Sequence, residues 1–183
     1  SITKIASTLP VLMKMVDNRK LRLNDRLGEY LDIDTTNKKN LIIRDILSHQ
    51  ARLKPWIPFY INTLVKDTFT GLMKLRDTLY STTESLNYPH QVANNIFLHY
   101  SFPDSILKQI YDSELLEQKD YYYSDLGFYL FKQIIEDIYK DNLNTIVDKE
   151  FYARLGMENL GYLPLIRLDT KRIIPTEHDF EFR

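Results

Sequence analysis

No cysteine occurs in the 183 residues. That excludes a disulfide framework, a thiolate nucleophile and a cysteine metal site, and it is compatible with an oxidising compartment. Glycine is scarce, at 5 residues, so tight turns are few and no glycine-rich loop can cradle a phosphate, which argues against nucleotide binding. An excess of one charge sign is also missing. The formal net charge of −1 gives no electrostatic basis for binding nucleic acid or an anionic membrane. No apolar run approaches the roughly 20 residues of a membrane-spanning helix. His49, His90, His99 and His178 stand far apart, without metal-ligand spacing, and no cofactor is implied. What remains is an ordinary globular composition, 44% hydrophobic and 27% charged, with an unusual 13 tyrosines. The length suits a single domain with a real core.

Hydrophobic periodicity predicts a mostly helical chain. Ile5, Leu9, Leu12, Met13 and Val16 recur at three- and four-residue steps, which predicts an amphipathic helix from residue 2 to about 18. Pro10 lies inside it and cannot donate to the carbonyl of Ala6, so a kink or loosening is expected there. Asn24 and Asp25 cap a short helix through Leu31, and 42–49 reads as another with Ile43, Ile46 and Leu47 inward. Residues 50–70 lack a period, and Pro55 and Pro58 around Trp56 and Ile57 indicate an extended aromatic loop. A short helix is expected over Gly71 to Tyr80, a short strand around Ile96 to Leu98, and a helix from Pro103 through Tyr111. The strongest later period, Leu126, Tyr129, Leu130, Gln133, Ile134 and Ile138, predicts a helix to Tyr139. Asn142 to Leu155 follows as a helix closed by Gly156.

Two clusters carry candidate chemistry. Ser1-Ile2-Thr3-Lys4 sets a hydroxyl and an amine one turn apart on the first helix. Serine is a weak nucleophile until a base lies within hydrogen-bond reach, and the helix N-terminus offers unpaired N–H groups to a developing oxyanion. Alone, this spacing arises in many helices. Tyr121-Tyr122-Tyr123-Ser124-Asp125 precedes the second strong helix, and Ser124 or Asp125 can serve simply as its cap.

Taken together and in order, these segments resemble the serine β-lactamase and penicillin-binding protein superfamily, especially its class C and esterase-like branch. Ser1-Ile2-Thr3-Lys4 is similar to the Ser-x-x-Lys nucleophile motif, and Tyr123-Ser124-Asp125 to the later Tyr-x-Asn motif. Ile46 to Leu53 looks like the Leu-Leu-Ser-His-x-x-Gly-Leu segment, and Leu21 to Leu31 like the segment before it. Lys54-Pro55-Trp56-Ile57-Pro58-Phe59-Tyr60 and Ile174-Pro175-Thr176-Glu177 are similar to a narrower group. In that group a β-lactamase-like domain follows a family-3 glycoside hydrolase domain in Bacteroidetes proteins. Three departures stand out. Asp125 replaces the usual Asn, Arg52 stands where glycine is common and is expected to alter a turn, and no Lys-Thr-Gly or His-x-Gly strand follows Glu177.

The resemblance implies a mainly α chain, the helical portion of the β-lactamase/transpeptidase-like α+β fold with its core sheet largely missing. A strand pair is expected at most. Residues 1–183 then form one partial domain truncated at both ends. The implied chemistry is acyl transfer on an amide or ester, with Ser1 as nucleophile and Lys4, Tyr123 and Asp125 completing the catalytic set. A neutral Lys4 assisted by a Tyr123 hydrogen bond is the expected base. That requires the amine's pKa to fall from about 10.4, and Asp125 opposes the fall. Substrates would be small molecules or peptidoglycan-derived peptides, with no cofactor, in a periplasmic or otherwise extracytoplasmic bacterial setting. Ile5, Leu9 and Val16, lacking their sheet, are expected to seek a homo-oligomeric or swapped contact. The rival reading is a catalytically inactive β-lactamase-like binding or structural module.

Overall fold

The computed structural model describes residues 2–173. Ser1, His178 and the segment Ile174 to Glu177 lie outside the described residues. The architecture is mainly helical, with short strands grouped in one part of the chain.

The first helix runs through a π-helical turn, Lys4–Thr8, into helix α1, Leu9–Asp17. The physical cause is Pro10. Its missing N–H leaves the Ala6 carbonyl without its helical donor, and the Leu9 N–H instead reaches back to the Lys4 carbonyl. The Tyr152 hydroxyl donates to the Ala6 carbonyl at 2.8 Å and satisfies it from another element. The expected loosening is therefore real and is held in place by a tyrosine.

Val11, Leu12 and Met15 turn into the core. There they join helix α4, Leu126–Tyr139, which buries Leu126, Leu130, Phe131, Ile134 and Ile135, and helix α5, Leu143–Val147. A second π-helical turn, Asp148–Tyr152, continues α5, and Gly156 at φ 64° closes the segment as expected. Residues 21–53 wrap the other side of this core with Leu21, Leu27, Ile33, Ile43, Ile46 and Leu53 buried. That wrap contains helix α2, Ile43–Leu47, and a single 3-10 turn, Leu27–Glu29, where a short helix was expected. Helix α3, Phe102–Asp112, buries Ile110 against the same cluster. Lys38 is fully buried, and its ammonium bridges Asn37 and the Ser113 and Tyr111 carbonyls, tying the 34–40 loop to the end of α3.

Two expectations need correction. Residues 71–80 are not a helix. Strand β1, Leu64–Lys66, pairs antiparallel with β2, Met73–Leu75, through a turn in which Asp67 accepts the N–H groups of Phe69 and Thr70. Gly71 at φ 70° completes that turn. The strands also exceed a single pair: β3, Tyr80–Ser81, β4, His90–Ala93, and β5, Ile96–Leu98, form a three-stranded sheet in the order β3-β5-β4. Both sheets are small, and the main apolar core is helical.

The outer face of the first helix carries an uncovered stripe. Ile2, Ile5, Met13 and Val16 are exposed, while Leu9 is half-buried. The sequence period of Ile5, Leu9, Leu12, Met13 and Val16 mostly followed this stripe, and of the buried face of Val11, Leu12 and Met15 it included Leu12 alone.

Candidate active site

Lys4 points from the π-helical turn toward the start of α4, where its ammonium forms an ion pair with Asp125. Its Nζ also lies 5.0 Å from the centre of the Tyr123 ring and 5.3 Å from that of Phe128. The Lys4 side chain is only 12% exposed, whereas that of Asp125 is 46% exposed. The carboxylate thus faces outward with the ammonium behind it.

The loop carrying Tyr123 and Asp125 is fixed by the segment after α2. The Tyr122 N–H donates to the His49 carbonyl at 2.9 Å, and the Asp125 N–H to the Pro55 carbonyl at 2.8 Å. Ser124 is the capping residue: its hydroxyl accepts from the Leu126 N–H at 3.2 Å and donates to the Lys54 carbonyl at 2.6 Å. The Ser124 N–H donates to His49 Nδ1 at 3.1 Å, which places the imidazole proton on Nε2. The His49 ring packs on Tyr123 with centres 4.5 Å apart. His49 and Arg52 have φ of 59° and 62°. Arg52 therefore keeps the left-handed turn that glycine would favour, and its Nε donates to the Leu116 carbonyl. The turn is preserved rather than altered.

The electrostatics run against a neutral amine. Burial pulls the Lys4 pKa down, but the hydrogen bonds and charge of Asp125 and Tyr123 outweigh it and hold the pKa above its usual value. Lys4 is an ammonium at neutral pH, so the fall expected of it does not occur in this arrangement. His49 shifts the other way. Its burial, then the nearby Lys4 charge, depress its pKa against the opposing pull of Asp125, which keeps the imidazole neutral and able to accept.

Beside Asp125 opens a cleft of about 360 Å³ lined mainly by aromatic side chains, among them Trp56, Phe59, Tyr80, Phe102 and Tyr129. Phe59 and Tyr129 meet edge to face with centres 5.5 Å apart.

Of the four residues singled out from the sequence, the structure brings Lys4 to Tyr123 and Asp125, which lie more than a hundred positions away from it. Ser1 lies outside the described residues. On sequence grounds His49 stood as a histidine without metal-ligand spacing. Its hydrogen bond to Ser124 and its contact with Tyr123 are long-range, and no local pattern announces them. No group of His, Asp and Glu able to hold a metal occurs among the described residues.

A family model described as Beta-lactamase matches residues 1–167. Among curated proteins, none matches significantly. A solved structure, that of a candidate β-lactamase from Bacteroides dorei DSM 17855, superposes with a TM-score of 0.53 at 17% identity. The match covers 84% of this chain and 36% of that one, so the chain spans about a third of the length of its structural neighbour. At that identity the likeness concerns the fold alone.

Proposed function

The chain belongs to the Beta-lactamase family, a branch of the serine hydrolases, and on that premise we propose that it carries the nucleophile half of an acyl-transfer site acting on an amide or ester. The observation that supports this reading is the convergence of Lys4 and Tyr123, from the first helix and the loop before α4, around the ion pair with Asp125. Ser1, three positions before Lys4 in the sequence, is the nucleophile. Its Oγ bonds to the carbonyl carbon as its proton passes to the neutral Lys4 amine, the C–N or C–O bond then breaks as that proton is handed to the departing amine or alcohol, and water hydrolyses the acyl-enzyme to the acid and free Ser1.

Because Asp125 keeps Lys4 protonated, the amine must lose its own proton before it can accept one. The site is therefore most active on the alkaline side. Tyr123 donates a hydrogen bond to the neutral amine and orients it. Substrates are peptidoglycan-derived or small-molecule acyl compounds. The setting is extracytoplasmic, within a larger protein that joins this domain to a glycosidase. The uncovered stripe of Ile2, Ile5, Met13 and Val16 is the surface through which the domain meets an apolar partner face, a second copy included.

A second reading has its own support. An amine held as an ammonium by a carboxylate is a poor base, which favours an inactive module. The two are separated by intact-mass analysis of the longest natural form carrying these residues after treatment with a fluorophosphonate or a penicillin probe. An adduct on Ser1 that is lost in Ser1→Ala supports the enzyme. A folded protein without an adduct from either probe establishes the inactive module.

A further inference from the structure

The aromatic cleft beside Asp125 has a charge character that the acyl-transfer reading does not use. Its walls come from three separate stretches: Trp56 to Thr63, Phe102 and Ile106 of α3, and Asp125 to Tyr129 at the start of α4, with Tyr80 at one side. Among the described residues no lysine or arginine lines it, and Asp125 supplies its only ionised side chain. The Lys4 ammonium sits behind that carboxylate, more deeply buried. The Thr63 hydroxyl is already engaged with the Tyr60 carbonyl at 2.7 Å. The volume of about 360 Å³ is at the lower end for a small-molecule site and holds a ring with a short polar tail.

We propose that this cleft takes an aromatic or bulky apolar group of the substrate, presented on a neutral or cationic fragment, and disfavours an anionic one. The aromatic walls supply area burial and ring-edge contacts for the group, and the outward carboxylate sets the sign of charge tolerated next to it. The proposal rests on the acyl-transfer reading only in naming the bound molecule a substrate. The binding preference itself stands on the cleft. A consistent sign appears at Tyr129. Burial is the main cause of its hydroxyl's raised pKa, and the carboxylate of Asp125 raises it further, outweighing the opposing pull of Lys4.

Trp56 is the chain's sole tryptophan, and it stands at the lip of the cleft with 57% of its surface exposed. Its emission therefore reports occupancy without any need for turnover. The test titrates the intact protein at low ionic strength and neutral pH with three probes of similar shape: phenylacetamide, phenethylammonium and phenylacetate. Phenylacetamide and phenethylammonium are expected to saturate the response, with phenylacetate binding at least about tenfold more weakly. In Asp125→Asn, shown by circular dichroism to be folded, the gap between phenylacetamide and phenylacetate closes to within about threefold. Equal or tighter binding of phenylacetate, no saturable response to any probe, or a charge preference unchanged in Asp125→Asn would each overturn the proposal. Should Asp125→Asn not fold, the wild-type charge series decides alone. Absence of a Ser1 adduct beside an intact charge preference would sink the acyl-transfer reading and leave the cleft standing. The opposite pattern would do the reverse.

Discussion

Asp125→Asn changes one atom group at the centre of the site and carries a signed expectation. The amide keeps the size of the side chain and can still accept a hydrogen bond from Lys4, but it removes the charge that favours the ammonium. Two unit charges about 4 Å apart attract by about 1 kcal/mol in water and about 4 kcal/mol in a half-shielded protein setting. Lys4 is nearly enclosed, but Asp125 is 46% exposed, so solvent screening brings the value to about 1–2 kcal/mol. That energy corresponds to roughly 5–30-fold in the ratio of neutral to charged amine. A raised pKa leaves less neutral amine at any pH below it, and removing the cause restores the neutral form. kcat/KM for a chromogenic ester near pH 7 should therefore rise by roughly 5–30-fold. The alkaline ascent of the profile should move to lower pH, and the high-pH plateau should change little. The assay is a pH series on the longest natural form, with wild type and variant side by side. An unshifted profile would show that Lys4 is not the titrating base. A fall of several orders of magnitude at every pH would make Asp125 itself the base or a direct substrate contact.

The remaining expectations concern the scaffold that holds the site. Gly127→Ala puts a Cβ 2.4 Å from Ile46 Cγ2 in the buried core and should destabilise by about 1–3 kcal/mol. A calorimetric melting point lowered by several degrees would register this, and Ile46→Ala should then be less harmful in that background than alone. At Arg52, φ of 62° reverses the usual order of small residues: Arg52→Gly should be more stable than Arg52→Ala by about 1 kcal/mol in urea unfolding. The opposite order would mean the turn is not left-handed in solution. Burial lowers the Lys38 pKa from 10.5 to about 8. Between those values the unfolded chain holds a proton that the folded chain has released, so folding stability rises with pH across that window. Lys38→Met should flatten the rise, while leaving the Ser113 carbonyl without its donor costs about 1–3 kcal/mol.

Long periodic helices were the most legible part of the sequence. The apolar spacing of residues 126–139 matches the buried Leu126, Leu130 and Ile134 of α4, whereas on the first helix it announced the helix but not its buried face, since of its named positions only Leu12 is buried in α1. The Pro10 effect was also legible, since a missing N–H is a covalent fact. The β1–β2 hairpin was not, because its turn depends on the Asp67 side chain replacing backbone partners over 67–71. Helical propensity over 71–80 carries no trace of that. In the site, Lys4, Tyr123 and Asp125 were legible as types at family spacing. The ion pair that protonates Lys4 depends on which atoms meet across 121 positions. The cleft was illegible for the same reason, since its walls converge from stretches that each read as loop or ordinary helix.

The placement of Lys4 traces to two residues with no part in the chemistry. Pro10 removes the donor that would close the turn on Ala6, and the helix responds by widening over Lys4–Thr8. A widened turn lags a regular α-helix in rotation, so the direction of Lys4 relative to the buried face of Val11, Leu12 and Met15 differs from what a continuous α-helix would give. A regular α-helix would leave the Ala6 carbonyl equally unpaired, because Pro10 has no N–H to give. Tyr152 supplies that donor at 2.8 Å from the segment beyond α5, and Ser7 adds a hydroxyl contact to Tyr162 at 2.6 Å. The turn bearing Lys4 is thus clamped on one side by tyrosines from the C-terminal segments and on the other by Asp125. Asp125 is itself held through the Pro55 carbonyl and the His49–Ser124 hydrogen bond. The approach of the amine to Tyr123 is a property of this whole clamp, and a change in any of its arms acts on the site through the orientation of Lys4.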